Sequence, residues 1–455
     1  MLFQTQSFLL AFLPVTLALY YAAARRPAAR EWVIVIASVL FYGAWDARFV
    51  PLLIAQTGLT WLAAGAALKT GNRGFLTLGI VANLTLLAFF KYAGFLVESV
   101  EALTGVSLPR HDIALPIGIS FITFELISYL VDVRRGEVGL HRFRAFCLYT
   151  FFFPHLVAGP IVRHNELIPQ LAADPLRAGL AERMGRGLSL LILGLGQKVF
   201  LADRLAQMAD PAFLAGAEPG FGAAWTGALA FSLQLFFDFA AYTDMAIGIA
   251  LMFGIVLPRN FDTPYRARDL RDFWRRWHMT LSRWIRDYLY IPLGGSRHGL
   301  ARTVFATMVA MTLCGLWHGA AWTFVVWGAM HGAGLLIVHA WQGLGGRLPA
   351  PLAWLATMGF VLVGWVLFRA PDFATAATML AAMARPEAVS LTLKTVPWLI
   401  VLAGVLSLVR PTAAEFAERR LQPNWPVMAA LGALAVAAIL DVGEGKPVTF
   451  IYFQF

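Results

Sequence analysis

The stretch LCGLWHGAAWTFVVWGAMHG, residues 313–332, carries an ionisable side chain inside a long apolar run. His318 lies there between a tryptophan and a glycine. The glycines form two pairs with a spacing of four: Gly315 with Gly319, and Gly328 with Gly332. Small residues at this spacing let membrane helices approach closely. An ionisable group inside a membrane segment is costly and usually serves function, so His318 is a candidate general base for a hydroxyl nucleophile.

The composition of the whole chain extends this interpretation. Of its 455 residues 59% are hydrophobic and 14% charged, with a mean hydropathy of +0.68. Soluble domains carry roughly 45–50% apolar and about 25% charged residues. We therefore predict an all-α polytopic membrane protein, a single membrane-embedded domain over 1–455. Several apolar runs fall short of the roughly 20 residues of a span, so we expect roughly 9–12 spans plus re-entrant and interfacial helices. The run at 145–162, broken by Pro154 and Pro160, is expected to be re-entrant.

The net charge of +10 bears on which kind of molecule the protein binds, nucleic acid or a lipid bilayer. Basicity alone would suit nucleic acid, but here Lys and Arg concentrate between the apolar runs, as they do in cytosolic loops. We expect a lipid bilayer as partner and no nucleic acid. Cys147 and Cys314 have neither disulfide nor metal spacing, and the spacing of His318 to His331 fits no metal motif, so no metal site is expected.

A basic segment, RARDLRDFWRRWHMTLSRWIRDY at 266–288, is the most informative polar stretch. At helical periodicity its apolar stripe comprises Phe273, Trp277, Leu281, Trp284 and Tyr288. The opposite face comprises Arg268, Arg271, Arg275, His278, Ser282 and Arg286. One interpretation is an interfacial helix that anchors in anionic lipid. The other is that Arg271, Arg275 and Ser282 bind the phosphates of a cytosolic donor, because guanidinium pairs with phosphate bidentately. Both stay open at this point.

Three carboxylates also lie in apolar runs: Glu125, Asp238 and Asp244. We favour a structural interpretation for them, in which they cap broken helices or pair with arginine inside the bundle.

Several segments together resemble the membrane-bound O-acyltransferase family, and within it the bacterial branch that O-acetylates polysaccharides. They are LPIGISFITFELISYLVDVRRG (115–136), FFPHLVAGPIVRHNELIPQL (152–171), DFAAYTDMAIGIALMFGI (238–255), NFDTPYRARDLRDFWRRWHMTLSRWIRDYLYIPLGG (260–295), GLWHGAAWTFVVWGAMHG (315–332) and FIYFQF (450–455). They occur in the order expected for the family.

The resemblance implies a helical bundle around a transmembrane tunnel, in the bacterial inner membrane, with multiple passes. It assigns the principal catalytic histidine to His318 and a second one to His278. The implied donor is acetyl-CoA, with no permanently bound cofactor. The implied product is an O-acetylated exported polysaccharide such as alginate, made with a separate extracytoplasmic acyltransferase as partner.

The ending FIYFQF permits two interpretations. Composition alone favours a hydrophobic tail that packs against the bundle. The resemblance to a terminal Phe-x-Tyr-x-x-Phe motif instead implies that Tyr452 carries the acyl group, which is chemically reasonable because a phenol has a pKa near 10.

Other functions remain open from the sequence. D-alanyl or peptidoglycan acyl transfer would use the same fold. A secondary transporter would also contain buried charges and broken helices, although we find no inverted repeats. An inactive scaffold subunit is disfavoured because His278 and His318 are both present.

Overall fold

The computed structural model describes residues 1–109, 113–385, 398–421, 424–444 and 450–451. The described chain is mainly helical and contains no strand. The predicted all-α class is therefore confirmed.

Twenty-one α-helices lie within the described ranges. They are α1 Leu13–Ala22, α2 Pro27–Asp46, α3 Val50–Thr70, α4 Gly74–Leu87, α5 Ala93–Thr104, α6 Ile119–Arg135, α7 Phe143–Phe151, α8 Phe153–Leu156, α9 His164–Leu167, α10 Leu180–Gln197, α11 Asp203–Ala209, α12 Phe221–Met252, α13 Leu270–Arg276, α14 Met279–Ile285, α15 Gly299–His318, α16 Trp322–Gly343, α17 Ala350–Arg369, α18 Phe373–Ala384, α19 Trp398–Leu408, α20 Ala413–Glu415 and α21 Trp425–Glu444. Short π-helical turns interrupt them at Phe8–Phe12, Ala88–Tyr92, Lys198–Ala202, Arg286–Tyr290 and Phe416–Arg420, and 3₁₀ turns at Ala47–Phe49, Ile168–Ala172, Asp210–Phe213 and Pro264–Arg266.

Seven helical stretches of the described chain are long and apolar enough to cross a membrane: Pro27–Thr70, Gly74–Thr104, Phe221–Met252, Gly299–His318, Trp322–Gly343, Ala350–Arg369 and Trp425–Gly443. The first contains 44 residues, about 66 Å if it were straight, and it divides into α2 and α3 at Asp46. Shorter apolar helices, such as α18 and α19, fall below spanning length. The expectation of roughly 9–12 spans counted apolar runs of mixed length. The runs that form these shorter helices explain why the expected number exceeds seven.

The chain forms two compact units, and the expectation of one domain over 1–455 stays a prediction. Unit 1 comprises Met1–Ile192, Thr243–Pro258 and Val442–Pro447. In it, the run at 145–162 is indeed broken: α7 ends at Phe151 and only the short α8 follows. Glu125 of α6 lies 3.0 Å from His155 Nδ1, and its carboxylate accepts the Val162 backbone N–H at 3.4 Å. Glu125 therefore holds the irregular backbone that follows α8.

Unit 2 comprises Leu193–Tyr242, Arg259–Asp441 and Val448–Phe455. It contains α13 to α18 and the first part of α12. Asp238 of α12 is buried and pairs with Lys198 at 2.7 Å, where the sequence interpretation expected a helix cap or an arginine partner.

Helices α15 and α16 of unit 2 touch backbone to backbone. A Cβ on Gly315 would lie 2.2 Å from the Phe324 carbonyl oxygen, and one on Gly328 would lie 2.3 Å from the Met311 carbonyl oxygen. Only glycine fits at such distances. The close helix approach predicted from the glycine spacing is confirmed, and it fixes the position of His318 at the end of α15.

We expect Gly315→Ala to lower the stability of the protein by about 1–3 kcal/mol, because the new methyl group overpacks the helix contact. Gly359→Ala is the matched control, since nothing lies within 4 Å of a Cβ at that position of α17. It should be neutral or slightly stabilising, because alanine is the better helix former. Unfolding in detergent micelles measures both. Equal stability of the two variants would contradict the backbone contact.

Candidate active site

The basic segment 266–288 is not one helix, so the prediction of a continuous amphipathic helix is wrong. Helix α13 ends at Arg276, Trp277 is extended, and α14 begins at Met279. The physical reason is a tertiary contact. Asn260 accepts the Met279 N–H with its backbone carbonyl at 2.9 Å and the Thr280 N–H with its side chain at 3.2 Å. These bonds satisfy amides at the start of α14 and fix the break.

The break turns His278 away from the arginine face on which the periodicity placed it. His278 adopts φ 42° and ψ 54°, a left-handed conformation, and its side chain is completely buried. Arg271 and Arg275 stay exposed. Positive φ in a non-glycine residue is uncommon and is found mostly where the surroundings enforce it. In the described chain only Thr263 and His278 show it outside glycine; His278 lies in this segment and Thr263 lies three residues before it.

Asn260 also determines which nitrogen of His278 carries the proton. The Asn260 side-chain atom that faces His278 accepts from the Thr280 backbone N–H, which can only donate, so that atom is the amide oxygen. His278 Nδ1 lies 3.1 Å from the same oxygen and must therefore donate to it. Burial lowers the pKa of His278 to about 3, so the imidazole is neutral at physiological pH. Its Nε2 consequently carries the lone pair.

His318 is the last residue of α15, and the structure brings it to His278. The two ring centroids lie 6.3 Å apart. The His318 ring packs among Trp317, Trp327 and Phe368, with centroid distances of 5.0, 5.3 and 5.4 Å. The C-terminal end of a helix favours a nearby positive charge. An imidazole at this position is therefore suited to accept a proton during a reaction.

His331 of α16 is a third histidine at this site, and the sequence analysis gave it no role. It is completely buried, and its Nδ1 accepts the Trp274 indole N–H at 3.3 Å. Trp327 contacts it at 4.7 Å and also contacts His318. The argument applied to His318, an ionisable group within a membrane span, would have found His331 too. Asn260 had no such signal, because its role depends on a tertiary contact.

Unit 2 contains a cavity of about 650 Å³, whose lining includes Met279, the residue after His278, and Trp274, which donates to His331. Its lining residues are Arg271, Trp274, Arg275, Met279, Leu281, Ser282, Arg283, Ile285, Arg286, Tyr290, Ser296, Thr303, Thr307, Ala310, Met311, Cys314, Leu335, Leu336 and His339. The three predicted donor-binding residues, Arg271, Arg275 and Ser282, are all among them.

The cavity carries a strong positive charge. Four arginines and no carboxylate occur among its lining residues in the described chain. Arg271 donates to Gln342 at 3.1 Å, whereas Arg275 has no hydrogen bond or ion pair with any described residue. At the other side of the lining, Cys314 precedes His318 by four residues on α15, which is about one helical turn. The cavity therefore extends from an arginine cluster to α15, one turn before His318.

A model of the membrane-bound O-acyltransferase family matches residues 66–371. The chain belongs to this family. It is accordingly an O-acyltransferase and a multi-pass membrane protein, as the sequence resemblance implied. The matched range contains His278, His318 and every residue that lines the cavity.

Three similar proteins illustrate the range of activities within the family. The probable alginate O-acetylase AlgI of Azotobacter vinelandii is 43% identical over 396 residues, which cover 84% of this chain and 78% of that protein. The peptidoglycan O-acetyltransferase of Helicobacter pylori is 36% identical over 427 residues, covering 86% and 81%. The teichoic acid D-alanyltransferase of Streptococcus thermophilus is 31% identical over 236 residues, covering 50% and 57%.

The site residues predicted for this O-acyltransferase fall into three groups in the structure. His278 and His318 lie together, and Arg271, Arg275 and Ser282 line the cavity. Tyr452 lies outside the described residues. The tunnel implied by the resemblance stays a prediction.

We expect Asn260→Leu to lower both stability and turnover. The substitution keeps the approximate size but removes the acceptor for the donors of His278 and Thr280, which costs about 1–3 kcal/mol for a buried polar group left unpaired. Acyl transfer by the purified enzyme should fall at least tenfold, since His278 loses its orientation. Ser407→Ala removes another buried polar side chain of unit 2, bonded only locally to Gly404, and should keep near wild-type turnover. Equal turnover in the two variants would show that Asn260 does not orient His278.

Proposed function

We propose that this O-acyltransferase takes an acetyl group from cytosolic acetyl-CoA and moves it across the bacterial inner membrane for O-acetylation of an exported polysaccharide such as alginate. A separate extracytoplasmic acyltransferase is the proposed partner that completes delivery to the glycan. The observation that carries the donor assignment is the arginine-lined cavity that reaches α15 at Cys314, one turn before His318. The similarity to alginate O-acetylases supports the acceptor class.

The cavity suits a phosphate-bearing thioester in two respects. Guanidinium groups bind phosphate oxygens in a bidentate manner, and four of them line the cavity together with the Ser282 hydroxyl. The remaining lining residues near α15 are mostly apolar, which suits an acyl chain and its linker. An interfacial anchor alone would not require a cavity between the arginines and the histidine-bearing helix.

In the proposed reaction, His318 acts as general base on the attacking hydroxyl. The hydroxyl oxygen forms the new ester bond to the acetyl carbonyl carbon, the carbon–sulfur bond of the thioester breaks, and the departing CoA thiolate takes up the proton from the His318 imidazolium. His278 presents its Nε2 lone pair beside His318 and accepts a hydrogen bond from the reacting groups. Tight aromatic packing around His318 excludes water and so limits hydrolysis of the thioester.

Tyr452 is proposed as the first acceptor of the acyl group. Its phenol is more acidic than an alkyl alcohol, so His318 deprotonates it more easily. The resulting aryl ester has a good leaving group and passes the acetyl group to a second nucleophile on the partner.

A second candidate function is peptidoglycan O-acetylation or D-alanyl transfer by the same site. The Helicobacter pylori and Streptococcus thermophilus relatives favour it. Mass analysis of separated polysaccharide, peptidoglycan and teichoic acid from cells with and without this protein distinguishes these products, because the glycan that loses its ester identifies the acceptor and acetyl and D-alanyl esters differ in mass.

We expect Arg275→Glu to weaken acetyl-CoA binding at least tenfold, because it reverses a charge that faces the donor phosphates. The readout is alkylation of Cys314, which lines the cavity, in a Cys147→Ser background that leaves one thiol. Acetyl-CoA should protect Cys314 in the wild-type cavity and fail to do so in the variant. Arg347→Glu, an exposed charge reversal outside the lining residues, should leave protection unchanged. If acetyl-CoA protects Cys314 equally in the wild type, in Arg275→Glu and in Arg347→Glu, the arginines serve only as a lipid anchor.

We expect His318→Ala to abolish acetyl transfer while acetyl-CoA still protects Cys314, since the base is lost but the donor cavity is kept. Release of CoA thiol and acetylation of the exported glycan measure transfer. His298→Ala, at an exposed histidine just before α15, is the control and should retain activity. Wild-type glycan acetylation by His318→Ala would overturn the assignment of the base.

A further inference from the structure

A buried charge cluster lies in unit 2 away from the arginine-lined cavity. Lys198 Nζ is 2.7 Å from Asp238 and 2.6 Å from Asp203. The side chains of Lys198 and Asp238 are each only 3% exposed. Removing two charges from water costs several kcal/mol per ion. Replacing a buried ion pair with apolar side chains of similar volume is often neutral or stabilising. The cluster therefore calls for a role beyond packing.

The second oxygen of the Asp238 carboxylate binds the end of the chain. The backbone N–H of Ile451 donates to Asp238 Oδ2 at 2.7 Å. Phe450 and Ile451 are both 1% exposed. The Phe450 ring stacks on Tyr242, with centroids 4.8 Å apart and planes at 28°. Both anchors of the described tail residues, Asp238 and Tyr242, thus lie on α12, one turn apart.

This anchorage places Phe450 near His278. Phe450 contacts Phe239, with centroids 5.7 Å apart, and the rings of Phe239 and His278 are perpendicular, with centroids 4.6 Å apart. One aromatic ring therefore separates Phe450 from His278. Residue 452 follows Ile451 directly in the sequence.

Charge explains how the Asp238 carboxylate, paired with Lys198, holds a backbone N–H group. A hydrogen bond from an N–H to an ionised carboxylate is roughly twice as strong as one between neutral groups. Lys198 places its positive charge 2.7 Å from the Asp238 carboxylate within a membrane span, where an ionisable group usually has such a partner. It also occupies Oδ1, which leaves Oδ2 directed at the Ile451 amide.

We propose that Lys198 and Asp238 form a dock for the main chain of the protein's own C-terminal segment and hold it beside His278 and His318 for acyl transfer. Both are positioning residues. They act through the Ile451 amide, so the side chain at position 451 matters less than its N–H. The positioning role of the dock in acyl transfer rests on the proposed function. The binding of the C-terminal segment by the dock is tested without measuring enzyme activity.

The test of the dock measures hydrogen–deuterium exchange of the C-terminal peptide in the full-length protein, reconstituted in lipid nanodiscs. Ile451→Pro removes the donor N–H, and Ile451→Val retains it with a similar side chain. Lys198→Met combined with Asp238→Leu removes both charges of the ion pair and leaves Asp203, the more exposed of the two carboxylates that contact Lys198, without its cation. We expect exchange of the terminal peptide to accelerate at least tenfold in Ile451→Pro and in the double variant, and to stay at the wild-type rate in Ile451→Val. Arg204→Gln, which breaks a more exposed ion pair with Asp441 in the same unit, should leave it unchanged. Unchanged exchange in both Ile451→Pro and the double variant would overturn the dock.

The test of its purpose measures glycan acetylation and Cys314 protection in the same variants. Ile451→Pro and the double variant should lose at least tenfold in acetylation while acetyl-CoA still protects Cys314, and Ile451→Val should retain both. Tyr452→Phe should lose acetylation with unchanged terminal exchange, which separates acyl carriage from docking. Wild-type acetylation with a released tail would overturn the positioning role. If acetyl-CoA does not protect Cys314 in the wild-type protein and no acetyl transfer occurs, the proposed function is rejected and the positioning role with it. Hydrogen–deuterium exchange of the terminal peptide still decides whether the dock exists.

Discussion

The hydrogen bonds that Asn260 accepts from residues 278–280 determine the geometry of the candidate site. A helix break inside a membrane protein leaves backbone amides that water does not reach, and each unsatisfied group costs several kcal/mol. Asn260 supplies acceptors for two such amides and for the His278 ring. Without these bonds the segment would continue as a helix, and His278 would lie on the exposed arginine face.

The same physical rule recurs at two other irregular segments of the chain. Glu125 accepts the Val162 amide in unit 1, and Asp238 accepts the Ile451 amide in unit 2. In each case the carboxylate also faces a basic side chain, His155 or Lys198. Asn260, Glu125 and Asp238 are therefore buried polar side chains that bind backbone amides where the chain leaves regular structure.

The break also separates two chemical environments within a short segment. The arginines stay at the exposed side and line a polar cavity, whereas His278 lies among aromatic rings. A continuous helix would have presented the imidazole and the guanidinium groups on one face, where positive charge would oppose protonation of the base.

Sequence periodicity and composition were sufficient to predict the helical class, the close contact of α15 with α16, and the residue types of the cavity. These features follow from local patterns: apolar runs, glycine spacing and clustered arginines. The helix break at His278 could not be predicted from local patterns, because it depends on Asn260, eighteen residues earlier in the chain. The partner of Asp238 was missed for a similar reason. Lys198 occurs at the end of an apolar run, where it would usually be assigned to an interface, and only the folded structure shows it turned inward.

The backbone contact between α15 and α16 has a consequence for the response of the site to its lipid surroundings. Spanning helices adapt to thinner or thicker bilayers by tilting. Gly315 and Gly328 interlock the two helices so closely that neither slides along the other. A change of bilayer thickness therefore tilts α15 and α16 as one body, and the spacing between His318 and Trp327 is insulated from membrane composition.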